Sequence, residues 1–173
     1  PPPIGTALSA IAIATVLSSC AGPGIRGAKV ATGFGGKAGS NIGLAVRANT
    51  ALEAGDYATA VDYAERAVAN SPNDAGYRSL LGNAYFAAGR FTSAADAYKD
   101  SLSLISNQPQ VILRLALATI AQGKNAEALS FLAAGQEVLD ASDYGLALAL
   151  AGEPGQAITV LEASARQVGA DAR

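Results

Sequence analysis

The distribution of apolar and polar positions divides the chain into three parts. Residues 1–19 carry no charge and contain a predominantly apolar run from Ile4 to Ser19. Residues 21–40 hold seven glycines, three basic residues and no acid. Residues 41–173 are rich in alanine and leucine, with scattered charges of both signs. This last part has enough apolar residues to bury a core, so we predict that it is a packed domain.

Within the third part, glycine and alanine recur at a fixed spacing of 34 positions. The glycines are Gly55, Gly89 and Gly123, and the alanines are Ala60, Ala94 and Ala128. A period of this length is typical of stacked helix–turn–helix hairpins, in which no single hairpin buries its apolar face alone. Each glycine is expected just after the first helix of a hairpin, in a left-handed backbone conformation.

These repeats resemble the tetratricopeptide repeat (TPR) family over 41–173, and the second repeat, with "LLGNAYFAAGRF", is the best match. The family's small residue, where the two helices cross, falls on Ala48, Gly82 and Ala116. The resemblance implies an all-α, right-handed TPR solenoid of at least four hairpins. The expected repeats are about 41–74, 75–108, 109–137 and 138–168, with the start of a further repeat at 169–173.

The fourth repeat is shorter than the others, because Gly152 follows Gly123 more closely than Gly123 follows Gly89. We predict a short first helix there, roughly 143–151, capped by Ser142 or Asp143. The aromatic residues fall where the family packs its hairpins, so they are predicted to belong to the core. They are Tyr57, Tyr85, Phe91, Tyr98 and Phe131.

The resemblance places a protein-binding groove on the first helices of the hairpins. Its predicted residues are Asn49, Leu52, Glu53, Asn83, Phe86, Leu113, Leu117 and Ile120. Asn49 and Asn83 occupy the same place in successive repeats, where their amides could bond a peptide backbone. The groove places hold no lysine or arginine, so the carboxylate clamp of the family's chaperone-binding members is not expected. The apolar face would instead hold an apolar segment of a partner, or be covered by repeats beyond Arg173.

The N-terminal part resembles a bacterial lipoprotein signal. Leu17-Ser18-Ser19-Cys20 matches the lipobox, in which cleavage before the cysteine follows its alkylation by a diacylglyceryl group. We therefore predict a signal peptide at 1–19 and a lipidated Cys20, attached stably to the membrane by its acyl chains (palmitate among them). The alternatives are an ordinary signal peptide with an incidental cysteine, or a buried helix with a free thiol. In the enteric sorting rule, an aspartate directly after the lipidated cysteine retains a lipoprotein in the inner membrane. Because residue 21 is alanine, the rule implies the periplasmic face of the outer membrane.

Residues 20–40 are predicted to form a flexible tether, since their composition cannot bury a core. Arg26, Lys29 and Lys37 are candidate contacts for anionic lipid. The chain contains no methionine, so we expect it to be a piece of a longer precursor.

The composition argues against catalysis, metal binding and nucleic-acid binding. There is no histidine and one cysteine, so Ser-His, Cys-His and common metal-ligand sets are missing. The net charge is −2, without the basic stripe that nucleic acid requires. We expect a non-enzymatic protein without a cofactor.

Lipobox and repeats together resemble the TadD-like lipoproteins of the tight adherence (Flp) pilus, above all over "SDYGLALALAGEPGQAITVLE", Ser142 to Glu162. That resemblance implies a scaffold that assists assembly or localisation of the pilus and its outer-membrane secretin. Two alternatives stay open. One is a TPR lipoprotein of outer-membrane β-barrel or type IV pilus assembly, and the other is a binding module for cell-wall or glycan-export machinery.

Overall fold

The computed structural model describes residues 37–171, with side chains from 40 to 167. The predicted signal peptide, Cys20 and tether residues 21–36 lie outside the described residues. The helices are α1 (Lys37–Glu53), α2 (Tyr57–Asn70), α3 (Ala75–Ala87), α4 (Phe91–Leu104), α5 (Pro109–Ala121), α6 (Asn125–Gly135), α7 (Ala141–Leu150) and α8 (Pro154–Asp171). They form four hairpins in chain order, and no strand occurs among these residues. In the described part, no helix is both long and apolar enough to cross a bilayer.

The turn inside each hairpin is built around a glycine with a positive φ, as predicted. The values are 74° at Gly55, 73° at Gly89, 75° at Gly123 and 95° at Gly152. The residue after each glycine donates its backbone N–H to the carbonyl five positions earlier, as Arg90 does to Tyr85 at 2.8 Å. This is the Schellman arrangement, which satisfies carbonyls at the end of a helix. The same residue then immediately precedes the second helix, so each turn is tight.

The alanines of the 34-residue period lie in the core of the solenoid, as does an alanine of the fourth hairpin. Ala60, Ala94 and Ala128 are fully buried, and Ala157 in the fourth hairpin is 2% exposed. Their small side chains allow the helices of a hairpin and the next hairpin to approach closely. Consecutive helices pack against each other, and α1 also contacts α3 as α5 contacts α7. Among the first helices of the hairpins, α1 therefore lies beside α3, and α5 lies beside α7.

The predicted cap of α7 was wrong. The helix begins at Ala141 after Asp140, whose carboxylate accepts a hydrogen bond from the backbone N–H of Ser142 at 2.8 Å. Asp143 lies in the first turn instead, where a negative charge is favoured by the helix dipole. The prediction that this helix is short is confirmed, since α7 has 10 residues and α5 has 13.

Two helix ends differ from the predicted boundaries. Helix α1 begins at Lys37, so the last four residues assigned to the tether are helical. Lysine and alanine at 37 and 38 are good helix formers, and they extend the helix. Helix α8 continues to Asp171, so residues 169–171 belong to it where a further repeat was expected to start. A single glycine at 169 costs only about 1 kcal/mol inside a helix and does not end it.

The aromatic residues are less uniformly buried than predicted. Tyr98 is fully buried, and Tyr85 and Phe131 are half-buried and pack against the core clusters. Phe91 is half-buried as well. Tyr57 is 44% exposed, so its assignment to the core was wrong. Phe91 is at the equivalent place in the second hairpin and gains burial from an edge contact with the Phe86 ring, at 5.4 Å between centroids. The first hairpin has aliphatic Leu52 in the position of Phe86.

Candidate protein-binding groove

The predicted groove contains a cavity between α1 and α3. Its volume is about 310 Å³. It is lined by Ala45, Asn49, Gly76, Tyr77, Ser79, Leu80 and Asn83. The structure thus brings Asn49 and Asn83, which occupy the same place in successive repeats, to one concavity. Asn49 is exposed, so its amide is accessible to a bound chain.

Asn83 is held in place by two hydrogen bonds to its Oδ1 atom. Tyr98 Oη donates at 2.9 Å, and Arg114 Nη1 donates at 3.0 Å. Burial raises the pKa of Tyr98 to about 12, although the nearby Arg114 offsets part of the rise, and the hydroxyl remains a donor at neutral pH. Because Oδ1 accepts both bonds, the Nδ2 group of Asn83 is left to donate to a partner.

Arg114 corrects the expectation that this face carries no cation. It is exposed on α5, and its guanidinium reaches back one repeat to Asn83. The counting of groove places missed it because it considers where each Cα lies, whereas an arginine side chain extends several ångströms further. Arg114 therefore places a positive charge beside Asn83.

The other predicted groove residues differ in how much surface they offer. Glu53 is exposed, and Leu117 is half-buried. The remaining four are half-buried and pack against the core clusters, so only part of each side chain faces outward. They are Leu52, Phe86, Leu113 and Ile120.

Two exposed leucines on α7 extend the groove and were missed by the sequence analysis. Leu146 is 60% exposed and Leu150 is 53% exposed. They precede Gly152 by six and two positions, as Asn49 and Glu53 precede Gly55. Counting backward from the glycine would have found them, because the shortened fourth repeat disturbs only the count from its start. The groove thus changes along its length, from amides and Arg114 at α1 to α5 to leucines at α7.

Within 37–171, no group of three or more His, Cys, Asp or Glu side chains could hold a metal ion. Two acidic residues of the first hairpin have structural partners. Asp62 pairs with Arg66 at 3.3 Å, and Glu65 accepts a hydrogen bond from Tyr85 Oη at 2.7 Å. Burial, together with Glu65, raises the pKa of Tyr85 to about 12.

Comparisons with known proteins agree with this architecture. Residues 46–111 match the family model described as Tetratricopeptide repeat. The crystal structure of MamA is similar over 76% of this chain and 80% of that chain, with 18% identity and a TM-score of 0.65. TTC0263, a thermophilic TPR protein of Thermus thermophilus, is similar over 73% of each chain, with 20% identity and a TM-score of 0.63.

A third similar structure contains a bound peptide. The Yersinia enterocolitica type III secretion chaperone SycD, in complex with a peptide of the translocator YopD, covers 75% of this chain. The match spans 95% of SycD at 20% identity, with a TM-score of 0.57. No curated protein matches the chain. The described residues therefore form a TPR-like solenoid, a fold that typically serves as a non-enzymatic scaffold for interactions between proteins.

Proposed function

We propose that this chain is a non-enzymatic interaction scaffold, lipid-anchored to the periplasmic face of the bacterial outer membrane through Cys20. In this proposal it assists assembly or localisation of a tight adherence (Flp) pilus and its secretin. The resemblance of the repeats and lipobox to TadD-like lipoproteins supports the pilus role. The groove along α1, α3, α5 and α7 supports the binding role.

The observation that carries the binding role is the shared cavity of Asn49 and Asn83. Amides at a regular spacing bond the backbone of an extended segment independently of its sequence, and nearby side-chain pockets add specificity. The apolar surface of Leu146 and Leu150 would receive apolar side chains of the same partner. SycD, whose structure contains a translocator peptide, is an example of a similar fold with a peptide bound.

The partner is tested by crosslinking in the native bacterium, followed by purification and mass spectrometry. Full-length lipidated protein is expected to recover a secretin or pilus-assembly proteins. Leu146→Asp is expected to reduce this recovery at least about tenfold, because a buried unpaired carboxylate costs more than about 1.4 kcal/mol in an apolar contact. Ile158→Asp on α8 is the matched control, because Ile158 is 58% exposed but lies on a second helix of a hairpin.

Other outcomes of this experiment separate the alternatives. Recovery of β-barrel assembly or type IV pilus components would replace the Flp assignment, and recovery of cell-wall or glycan-export proteins would favour a binding module for that machinery. Equal losses with Leu146→Asp and Ile158→Asp would show that the groove is not the binding surface.

The anchor is tested by Cys20→Ala in the full-length precursor. The change removes the thiol that would be alkylated, so incorporation of labelled palmitate is expected to fall to background. The protein should also leave the membrane pellet after a wash with about 0.5 M salt, which screens charge contacts. Ser18→Ala, which keeps a small residue before the cysteine, is the control and should retain the label. Undiminished labelling of Cys20→Ala would rule out this anchor.

A further inference from the structure

A second cavity lies at the start of the solenoid and shares no residue with the groove cavity. Its volume is about 280 Å³. It is lined by Ser40, Gly43, Leu44 and Arg47 of α1 and by Arg66 of α2. The four α1 residues follow helical spacing and share one face of that helix. Two guanidinium groups and a serine hydroxyl thus surround one concavity.

Arg47 occupies a place that belongs to the core in the following hairpins. The residues one and two periods later are Leu81 and Leu115, which are 8% and 2% exposed. In those hairpins the leucine packs among buried residues of the core clusters. At the first hairpin the same place carries an exposed guanidinium. A charge there keeps the outer face of the hairpin soluble, but solubility alone requires no second arginine at the same cavity.

Both guanidinium groups are positioned by the ring of Tyr63. The Cζ atom of Arg47 lies 5.8 Å from the ring centroid, and that of Arg66 lies 5.5 Å from it. Arg66 uses Nη1 to pair with Asp62, which leaves its other N–H groups to donate. Arg47 forms no ion pair within the described residues. Like charges held near one ring repel each other, and an anion between them removes that cost.

The sequence up to and including the cavity residues of α1 has the same sign of charge as the two arginines. Residues 1–52 contain Arg26, Lys29, Lys37 and Arg47 and no acid. The remainder has eight basic and fourteen acidic residues, so the net charge changes from +4 to −6 along the chain. The α1 side of the cavity therefore belongs to the positive stretch of the sequence, the one that includes Cys20, whereas Arg66 comes from the acidic remainder and pairs with Asp62.

We propose that this cavity binds a phosphate group, supplied by the headgroup of an anionic phospholipid. The planar guanidinium fork matches the geometry of phosphate oxygens, and two such forks with a hydroxyl can surround one phosphate. The lipid source rests on the proposed membrane anchor, because a chain anchored at Cys20 would keep this end within reach of the bilayer surface. Phosphate binding itself does not depend on the anchor or on the pilus assignment.

The test uses the full chain with Cys20→Ser, so that no acyl chain contributes. Binding is measured by cosedimentation with vesicles of phosphatidylethanolamine and phosphatidylglycerol, and with phosphatidylcholine vesicles as the neutral reference. Arg47→Gln and Arg66→Gln are each expected to weaken binding to the anionic vesicles about fivefold. Arg47→Lys keeps the charge but loses the planar guanidinium fork. Its affinity for the anionic vesicles should lie between that of Arg47→Gln and that of the unchanged protein. Arg166→Gln is the matched control, since Arg166 pairs with Glu162 at 3.0 Å as Arg66 pairs with Asp62.

Thermal melting with inorganic phosphate or glycerol phosphate distinguishes the source of the ligand. A melting temperature that rises with soluble phosphate and requires Arg47, without vesicle binding, would overturn the lipid source and identify a free phosphate instead. An equal loss of vesicle binding with Arg166→Gln would show that overall charge alone is responsible, and would overturn the site. Absence of binding in both experiments would also overturn the phosphate site. It would not affect the proposed anchor or the proposed groove, which have separate tests.

Discussion

Gly82→Ala is expected to lower the free energy of unfolding by about 2 kcal/mol, although alanine is the better helix former. Gly82 lies inside α3 and is buried. A Cβ atom there would overlap Cε1 of the Tyr98 ring and lie 2.5 Å from its Cδ1 atom. The Tyr98 ring is fully buried and its hydroxyl is bonded to Asn83, so the ring cannot move aside without losing these contacts.

The physical reason is that, in each hairpin, one side chain of the first helix and one of the second helix fill the same space in the core. The pairs recur at one separation in the chain: Ala48 with Ala64, Gly82 with Tyr98, Ala116 with Leu132, and Gly145 with Leu161. Tyr98, the largest side chain among these pairs, packs against a glycine. The fourth hairpin also pairs a glycine with a large side chain, and a Cβ on Gly145 would lie 2.7 Å from Cγ of Leu161. Cores are packed closely enough that one additional methyl group must be matched by a loss elsewhere.

A double-mutant cycle tests this explanation. Gly82→Ala with Tyr98→Leu recreates the pair that Ala116 and Leu132 form in the third hairpin, so the two changes together should cost less than their sum by about 1–3 kcal/mol. Urea denaturation measures the four free energies. Gly43→Ala is the control, because it also lies inside a helix but a Cβ would meet nothing within 4 Å. It should stabilise the protein by about 0.5–1 kcal/mol. Additive costs in the cycle would contradict shared packing.

The hairpins were predictable because their turns depend on backbone requirements that repeat in the sequence. A left-handed residue after each first helix favours glycine, so the spacing of Gly55, Gly89 and Gly123 gave the register directly. The errors occurred where a neighbour decides the outcome. Tyr57 was assigned to the core by its place in the repeat, but its burial depends on what packs against it. The cap of α7 depended on competition among three nearby polar residues.

The groove was predictable only in outline. Its location follows from the stacking of first helices, and Asn49 and Asn83 do line one cavity. The contact between Arg114 and Asn83 links adjacent repeats through a long side chain, and spacing within one repeat carries no information about it. The sequence therefore predicts which helices form the surface better than it predicts the charge of that surface.

Gly89→Val is expected to cost about 2 kcal/mol of stability for a reason opposite to that of Gly82. A Cβ atom at Gly89 would meet nothing within 4 Å, so no steric contact with neighbouring residues opposes the change. The φ angle of 73° is the obstacle, because an L side chain crowds its own backbone there and a β-branched one does so most. The turn cannot relax cheaply, since it holds the bond from Arg90 to the Tyr85 carbonyl.

Replacing Gly89 by asparagine distinguishes the strain of a positive φ angle from the mere loss of a glycine. Gly89→Asn should cost less than half as much as Gly89→Val, because asparagine tolerates the left-handed region by bonding to its local backbone. Thermal melting followed by circular dichroism measures both, and Gly89→Ala should fall between them. Equal losses for valine and asparagine would mean that side-chain contacts, not the φ angle, make glycine necessary. If valine costs most, alanine less and asparagine least, the fixed period of the repeats follows from turns that require a left-handed residue. The same requirement explains why Gly152 has a positive φ angle although the fourth repeat is shortened.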